Sequence, residues 1–379
     1  MKILFLMKRF SSGKDMVLED FGRQMRLGDA LLDLGHEVAY FCADYKRHET
    51  FQTVVNRKKV YVQALSPVSF LMFQSRLNRV AAGYDVIIGA TDPFFGVIGS
   101  WVARRKGKYF VYDIQDNYEA YGISKIFFMK SMEQKAIRNA DLVTVWSPSM
   151  EQKVKAVNPK TLMIPNGVDL KLVKIASRTS ARKLFSLPQD RKIIVYTGRY
   201  NGEAQTKGID MLIRAFARLR KRRGDVVLFM AGDGLRQRLA HERGNEGIIA
   251  VDSMPFARLM KAISVADVLV IPYAKTKFTE YMLTPYKLPE YMAFNKPIVC
   301  SNVGQMKDLL QQTPDLMFNP DDESDLIGKL ELALSYGKVN YKKELMKLTW
   351  KNLGEKIHNK LLEFRNRKSK DFGINHSTR

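Results

Sequence analysis

The chain has 379 residues, of which 46% are hydrophobic, and this length and composition suit two globular domains with packed cores. Lysine and arginine exceed the acidic residues to give a net charge of +23, which would attract a polyanionic surface such as anionic lipid or nucleic acid, or serve solubility alone. The two cysteines, Cys42 and Cys300, lie far apart in apolar runs, so the sequence excludes a disulfide framework and favours a reducing compartment.

The first half of the chain alternates short apolar strands with amphipathic helical stretches. Ile3–Met7 is a predicted strand and is too short to be the apolar core of a signal peptide. Helical spacing predicts a helix over about 17–34, which Gly35 ends. Further buried strands are predicted at Glu37–Cys42, Asp85–Gly89, Tyr109–Tyr112, Leu142–Val145 and Leu162–Ile164. Continuous apolar strands separated by helices indicate a parallel sheet that is covered on both faces.

The pattern restarts after a polar, basic interval at about 171–191. Lys192–Tyr196 is the first predicted strand of this second series, followed by a loop over Gly198–Gly208 and a helix over Ile209–Arg222. Further strands are predicted at Val226–Met230, Ala266–Ile271 and Pro297–Cys300. The predicted division is therefore a first domain over 1–175, a second over 176–344, a helix over 345–365 and a frayed basic tail over 366–379. No run reaches the ~20 apolar residues of a membrane-spanning helix, so we expect a cytoplasmic protein, soluble or peripheral at the inner face of the cell membrane.

A candidate ligand site begins at Thr284, a good helix N-cap that precedes Pro285, which suits the first helical position. The free N–H groups of Tyr286 and Lys287 would then hold a diphosphate at the positive end of the helix. Glu290, about one turn further along, could accept both hydroxyls of a ribose. From spacing alone, an ordinary capped helix with a surface glutamate explains the segment equally well.

This segment and several others together resemble the retaining glycosyltransferases of the GT-B fold, family 4, over nearly the whole chain. Singly each motif is weak, but their order and spacing are specific. The matching segments are Gly35–Val38, Asp141–Val143, Ile164–Asp169, Thr197–Arg199, Lys207–Gly208, Ala231–Gly234, Ala266–Val268 and Lys287–Ala293. The resemblance implies an α/β fold of two facing Rossmann-like domains with doubly wound parallel sheets. It also implies that the C-terminal helix crosses back to the first domain, which would bind the acceptor, while the second would bind the nucleotide sugar.

The resemblance also implies roles for individual residues. Arg199 and Lys207 would neutralise the donor diphosphate, because negative charge develops on the leaving group as the glycosidic bond breaks. Asp116 would bind a sugar hydroxyl or accept the acceptor proton, with Gln115 in the place where relatives often have histidine and Glu119 as a nearby competitor. A helix-capping role is the alternative for Asp116. The implied catalytic set is Arg199, Lys207, Asp116 and Glu290, and the implied donor-binding set is Gly13, Gly198, Thr284, Tyr286, Lys287, Leu288 and Glu290.

One position departs from the family pattern. Relatives carry a first acid eight residues before the position of Glu290, and here that position is Met282, which leaves the identity of the donor sugar in doubt. The sequence has no Asp-x-Asp pair and its five histidines show no ligand spacing, so no metal and no cofactor are expected beyond a UDP- or GDP-sugar as donor substrate.

The function that this resemblance implies is metal-independent transfer of a hexosyl unit to a hydroxyl of a glycan or lipid-linked acceptor, with retained anomeric configuration. Two basic amphipathic stretches, Val68–Arg79 and Lys125–Lys130, suggest contact with an anionic membrane surface, although each alone is better explained as a packed helix. A non-catalytic GT-B scaffold is the first alternative, supported by Gln115 and Met282. A basic nucleic-acid-binding protein is the second, supported only by charge, and we expect no nucleic-acid partner.

Overall fold

A computed structural model describes residues 1–11, 13–117, 128–240 and 246–371 of the chain. The chain forms two compact units, Met1–Pro165 with Trp350–Arg379 (unit 1) and Asn166–Thr349 (unit 2). These boundaries differ from the predicted 175/176 and 344/345 because the segment after Pro165 is held by unit 2. There, Val168 forms an isolated parallel bridge with Thr349.

Unit 1 is built on a mainly parallel sheet with the strand order β10-β9-β8-β7-β1-β4-β6-β5. Its strands are β1 (Lys2–Lys8), β4 (Glu37–Asp44), β5 (Phe51–Val55), β6 (Lys58–Ala64), β7 (Val86–Ala90), β8 (Tyr109–Ile114), β9 (Leu142–Val145) and β10 (Thr161–Met163), with a separate short hairpin of β2 (Phe10–Ser11) and β3 (Lys14–Asp15). The edge strand β5 runs antiparallel to β6, so the sheet is parallel as predicted except at this edge.

The helices of unit 1 cover this sheet. They are α1 (Arg23–Asp33), α2 (Phe70–Ala81), α3 (Pro93–Lys106), α4 (Met129–Asn139), α5 (Pro148–Lys155) and α13 (Trp350–Asp371). The C-terminal helix α13 packs against α1, and its apolar residues, spaced three or four apart, join the unit 1 core: Trp350, Leu353, Ile357, Leu361 and Phe364. The predicted return of the C-terminal helix to the first domain is therefore confirmed.

Unit 2 has a parallel sheet with the strand order β13-β12-β11-β14-β15-β16. Its strands are β11 (Lys192–Thr197), β12 (Val226–Ala231), β13 (Ile248–Val251), β14 (Val268–Ile271), β15 (Ile298–Ser301) and β16 (Met317–Phe318). Its helices are α6 (Arg178–Leu184), α7 (Glu203–Arg222), α8 (Leu235–Ala240), α9 (Phe256–Ser264), α10 (Lys287–Met292), α11 (Glu323–Ser335) and α12 (Lys342–Lys347). The order reverses between β11 and β14, and this switch point is where doubly wound sheets bind ligands.

Two predicted segments need correction. The helix predicted over 345–365 is two helices, α12 and α13, because the chain turns at Leu348–Thr349. The tail predicted to fray from residue 366 stays helical in its backbone to Asp371, and residues 372–379 lie outside the described part. Among the described residues, no helix is both long and apolar enough to cross a lipid bilayer.

Candidate functional site

Two glycine-containing loops leave the carboxyl ends of β11 and β12 in unit 2. Gly198 follows β11 and Gly232 follows β12, each with φ +149°, a conformation that side chains disfavour. A Cβ on Gly232 would collide with the carbonyl oxygen of Gly198. Both positions therefore need glycine for the loops to approach this closely at the switch point.

Helix α10 is anchored at the same edge of the sheet. The hydroxyl of Tyr291 accepts a hydrogen bond from the Thr197 N–H at 2.7 Å, which ties α10 to the last residue of β11. At the start of the helix, the Leu288 N–H already bonds the Pro285 carbonyl at 2.9 Å, so this amide is committed within the turn. Helix α10 is thus fixed at the end of β11 beside the switch point, and a donor-binding role for Tyr286–Leu288 stays a prediction.

The prediction that Thr284 caps this helix is wrong. The N-cap is Tyr286, which is itself helical in conformation, and no side chain caps the helix. Thr284 is fully buried, and its Oγ1 and carbonyl oxygen instead accept hydrogen bonds from the backbone N–H and the Nδ2 of Asn166, both at 2.8 Å. This threonine therefore fixes the first segment of unit 2 against the loop before α10. A donor-binding role for it stays a prediction.

Lys287 and Glu290 give this site its unusual electrostatics. The Lys287 side chain is buried, and its Nζ lies 4.1 Å from the ring centroid of Tyr196 and 5.1 Å from that of Tyr273. Burial lowers the pKa of Lys287 to about 7, against the opposing effect of the nearby Glu290 carboxylate. Burial of its carboxyl raises the pKa of Glu290 to about 7, although the residue as a whole is partly exposed.

The two predicted diphosphate-binding cations lie on the solvent side of this edge. Arg199 directly follows Gly198, and its Nε lies 3.1 Å from Oδ2 of Asp233 in the loop after β12. Lys207 is not in a loop as predicted, since α7 already begins at Glu203. Its Nζ bonds Oε1 of Glu203 at 2.7 Å, a contact that raises its pKa.

Gly208 allows α7 to approach this edge of the sheet closely. A Cβ on Gly208, the neighbour of Lys207, would collide with the carbonyl oxygen of Pro272 and lie 3.3 Å from the Cα of Tyr273. Because Tyr273 also contacts the ammonium group of Lys287, the α7 segment and α10 meet the same residue at the switch point.

The candidate residues in unit 1 lie in two places. Gly13 sits in the turn of the β2–β3 hairpin with φ +77°. Asp116 follows β8, and its Oδ1 accepts the Asn117 N–H at 2.8 Å. Gln115 accepts a hydrogen bond from the side chain of Gln24. Glu119 lies outside the described residues, as do residues 125–127 of the predicted stretch Lys125–Lys130. The functional roles of Gly13 and Asp116 stay predictions.

Sequence reasoning missed three groups at the two switch points. In unit 2 these are the rings of Tyr196 and Tyr273 around Lys287. No local pattern indicates them, because Tyr196 lies in β11 and Tyr273 follows β14. In unit 1 it is Asp92, which follows β7 beside β1. Its Oδ1 is buried with no hydrogen-bond partner among the described residues, and burial raises its pKa to about 6. The Asp92-Pro93 pair after an apolar strand was the available signal.

Among the residues that the structure describes, no three histidine, cysteine, aspartate or glutamate side chains are grouped to hold a metal ion. Metal-independent transfer stays a prediction. Cys42 and Cys300 are both buried as free thiols, as core residues would be.

Comparisons with known families match both halves of the chain. Residues 191–335 match the family described as Glycosyl transferases group 1, and residues 24–172 match the one described as Glycosyltransferase Family 4. One relative is a D-inositol 3-phosphate glycosyltransferase of Mycolicibacterium smegmatis, 28% identical over 45% of this chain and 40% of its own length. Another is a GDP-mannose-dependent alpha-(1-6)-phosphatidylinositol monomannoside mannosyltransferase of the same organism, 26% identical over 62% of this chain and 64% of its own length.

The chain therefore spans about half the length of the curated relatives that it matches. The likeness to solved structures is more complete. Anabaena HepE, solved in complex with UDP, is 16% identical, and the match covers 96% of this chain and all of that one with a TM-score of 0.72. The strand order of both units and this likeness together identify the fold as GT-B.

Proposed function

Because this chain belongs to the glycosyltransferases of the group 1 and family 4 type, we propose that it transfers a hexosyl unit from a nucleoside-diphosphate sugar to a hydroxyl group. The observation that carries the proposal is the gathering of Gly198, Arg199 and Lys287 at the switch point of unit 2. These residues lie within the segment that matches the group 1 family.

The donor is a UDP- or GDP-sugar in this proposal. HepE was solved with UDP, and one relative is named as GDP-mannose-dependent, which supports both nucleotides as candidates. Glu290, one turn into α10, would accept hydrogen bonds from the ribose hydroxyls. Since its pKa is about 7, it accepts from both hydroxyls only when ionised, and we expect donor affinity to fall below pH 7 for this reason.

Transfer proceeds with retention and without a metal in this proposal. The acceptor hydroxyl attacks the anomeric carbon on the face from which the diphosphate leaves, and a phosphate oxygen of the leaving group takes the hydroxyl proton. One carbon–oxygen bond breaks and one forms, so no protein nucleophile is needed. Arg199 and Lys207 would exchange their present carboxylate partners, Asp233 and Glu203, for the oxygens of the diphosphate.

The acceptor would bind in unit 1. Asp92 and Asp116 each follow a strand of its parallel sheet, where ligands of doubly wound folds bind. The buried, unpartnered Oδ1 of Asp92 would accept a hydrogen bond from an acceptor hydroxyl. We propose a glycan or lipid-linked acceptor and a cytoplasmic site of action at an anionic membrane surface. The net charge of +23 and the exposed apolar side chains of α2 support that surface.

A thermal-shift screen across UDP-, GDP- and ADP-sugars tests the donor proposal. A ligand that binds only the folded chain adds about 2.7 kcal/mol at a hundred times its Kd, so the right nucleotide should raise the Tm measurably. Lys207→Ala should abolish most of this stabilisation because it removes a cation from the diphosphate, and Glu290→Ala should weaken it through the ribose. Full stabilisation of the Lys207→Ala variant would remove Lys207 from the site.

A matched control and an activity readout complete the test. Lys221→Ala removes another lysine of α7, near its far end, and should leave the shift unchanged. With the nucleotide known, trace hydrolysis of the donor and transfer to a sugar or lipid acceptor distinguish an enzyme from a scaffold. NMR of the product reports the anomeric configuration, and inversion would contradict the proposed mechanism.

A further inference from the structure

Lys287 carries a buried amine that the proposed mechanism does not yet use. Its side chain is about nine-tenths buried, and among the described residues its Nζ forms no hydrogen bond and no ion pair. Its neighbours are instead the faces of Tyr196 and Tyr273, which stabilise a cation only modestly. A buried polar group without a partner requires an explanation in a native structure.

The amine lies at the switch point itself. Tyr196 belongs to β11, and Tyr273 follows β14, the two strands between which the order of the sheet reverses. A Cβ on Gly198 would lie 2.6 Å from Nζ of Lys287 and 2.7 Å from the hydroxyl of Tyr196. That hydroxyl is also buried and has no hydrogen-bond partner among the described residues. Two donors without acceptors therefore converge beside Gly198.

These donors differ from the two exposed cations of the site. Arg199 and Lys207 are already paired with carboxylates, and their side chains are 38% and 61% exposed, so water screens them. A charge in a poorly hydrated position interacts several times more strongly with an anion at the same distance. An anion beside Gly198 would therefore gain more from Lys287 than from either exposed cation.

Apart from Glu290, the titratable groups around Lys287 would not compete for a proton in weakly alkaline solution. Burial raises the pKa values of Tyr196, Tyr273, Tyr291 and Cys300 above their ordinary ranges, so all four stay neutral. Glu290 on the same helix is the other group that titrates near pH 7. In the free protein the amine itself loses much of its charge, because burial lowers its pKa to about 7.

We propose that the Lys287 amine, assisted by the Tyr196 hydroxyl, binds the diphosphate of the nucleotide and takes up one proton from solvent as it does so. The amine becomes an ammonium ion, which donates hydrogen bonds to the phosphate oxygens, and no other bond forms or breaks. This inference rests on the proposed function, since it places a nucleoside diphosphate at the switch point of unit 2. It adds to the site a buried amine that gains its positive charge as the nucleotide binds.

Calorimetric titration of the full chain with UDP and GDP at pH 8, in Tris and in HEPES buffer, tests the proposal. The two buffers differ in ionisation enthalpy, so the difference in observed heat gives the number of protons taken up. A group with a pKa near 7 is protonated in about a tenth of the molecules at pH 8, so Lys287 should take up ~0.9 proton. Glu290, which binds the ribose in its ionised form, should release ~0.1, so the net uptake should be ~0.8 proton. The terminal phosphate adds none, because its second pKa is near 6.

Three variants assign the proton. Lys287→Met should lose the uptake and about tenfold to a hundredfold in affinity, the range for a charged hydrogen bond. Lys207→Met should bind more weakly and keep the uptake. Glu290→Gln should also keep it, which separates Lys287 from the other group that titrates near pH 7. Loss of uptake in Glu290→Gln, with uptake kept in Lys287→Met, would assign the proton to Glu290 and overturn the proposal.

The outcomes separate this inference from the proposed function. If the unmodified chain binds UDP or GDP without proton uptake at pH 8, the inference fails and the donor proposal stands. If it binds neither nucleotide, both fail. Because the uptake is measured first on the unmodified chain, a result without uptake overturns the inference whether or not Lys287→Met folds.

Discussion

At the residue scale, the two units treat buried charge differently. In unit 1 the guanidinium of Arg23 bonds both carboxylate oxygens of Asp113, at 2.9 and 3.2 Å, and both residues are almost fully buried. Thr144 donates a further hydrogen bond to Asp113 at 2.6 Å. The pair joins α1 to β8, and Arg23 also donates to the carbonyl of Pro165 at the end of the unit. The charge of Arg23 is thus neutralised by a carboxylate inside unit 1, whereas the Lys287 amine has no such partner among the described residues.

We expect Arg23→Met to destabilise unit 1 by about 3–5 kcal/mol, because it leaves the Asp113 carboxylate buried without its counter-ion. Arg23→Met combined with Asp113→Asn should recover part of this loss. Urea unfolding followed by circular dichroism measures both. The exposed pair of Arg57 and Asp33 offers a matched control, since Arg57→Met should cost less than about 1 kcal/mol. Equal effects of the two arginine substitutions would contradict this account.

Sequence reasoning reached some site residues and not others for a physical reason. The position of Gly198 and Arg199 at the end of the sheet could be predicted because they directly follow an apolar strand, whereas their roles are implied by the family resemblance and stay predictions. The burial of the Lys287 side chain could not be predicted, because it depends on Tyr196 in β11 and on Tyr273, which follows β14. Thr284 was misjudged because its capping preference is local, whereas its actual partner, Asn166, is distant in sequence.

At the element scale, α13 is held to α1 by close packing and by a pair of histidines. Gly354 of α13 lies so near Ala30 of α1 that a Cβ there would come within 2.6 Å of the alanine side chain. Nε2 of His36, after α1, lies 2.8 Å from Nδ1 of His358 on α13. One ring must donate and the other accept, so this contact requires at least one neutral histidine.

Acidification should weaken the docking of α13. Burial lowers the pKa of His36 to about 4, with the N-terminal ammonium, His358 and Arg365 acting in the same direction. The unfolded chain binds this proton near pH 6.5, so the stabilisation is complete above that pH and is lost as the pH falls towards 4. We expect this group to account for about 2.5 kcal/mol of lost stability between pH 7.5 and 4.5.

The contribution of His36 to stability is the difference in the free energy of unfolding between the unmodified chain and the His36→Gln variant. Urea unfolding of the unmodified chain and of His36→Gln across this pH range should give curves that converge at low pH, because glutamine does not titrate. His48→Asn changes an exposed histidine and should leave the pH dependence unaltered. Parallel curves for the unmodified chain and His36→Gln would show that this residue does not set the pH dependence.

The predicted strands agree with the structure where the apolar pattern of the sequence is strong. Leu142–Val145 is found as predicted, and most other strands shift by one or two residues. The hairpin of β5 and β6 was missed because its turn is Asn56-Arg57, both with positive φ, and lacks the Asn-Gly signal. Helix α7 begins earlier than predicted because its first turn is capped by Gly202 and has no apolar periodicity before Ile209.

At the scale of the whole molecule, the proposed membrane contact is supported by the charge of +23, which would attract an anionic surface, and we expect α2 to touch that surface. Phe73 and Leu77 of α2 are buried, whereas Val68, just before the helix, and Leu71 and Met72 on it are 94%, 77% and 68% exposed. Charge provides long-range attraction and exposed apolar side chains provide insertion, and peripheral membrane proteins combine the two.

We expect the chain to cosediment with vesicles that contain phosphatidylglycerol and much less with vesicles of phosphatidylcholine alone. Raising the salt from 0.1 to 1 M should release it, because the Debye length falls from about 10 to about 3 Å. Leu71→Ser combined with Met72→Ser should weaken binding by about tenfold or more, since two apolar side chains no longer leave water. Leu170→Ser with Leu172→Ser removes two exposed leucines of unit 2 and serves as the control. If both double variants bind alike, Leu71 and Met72 do not insert into the membrane and the proposed apolar contact of α2 fails.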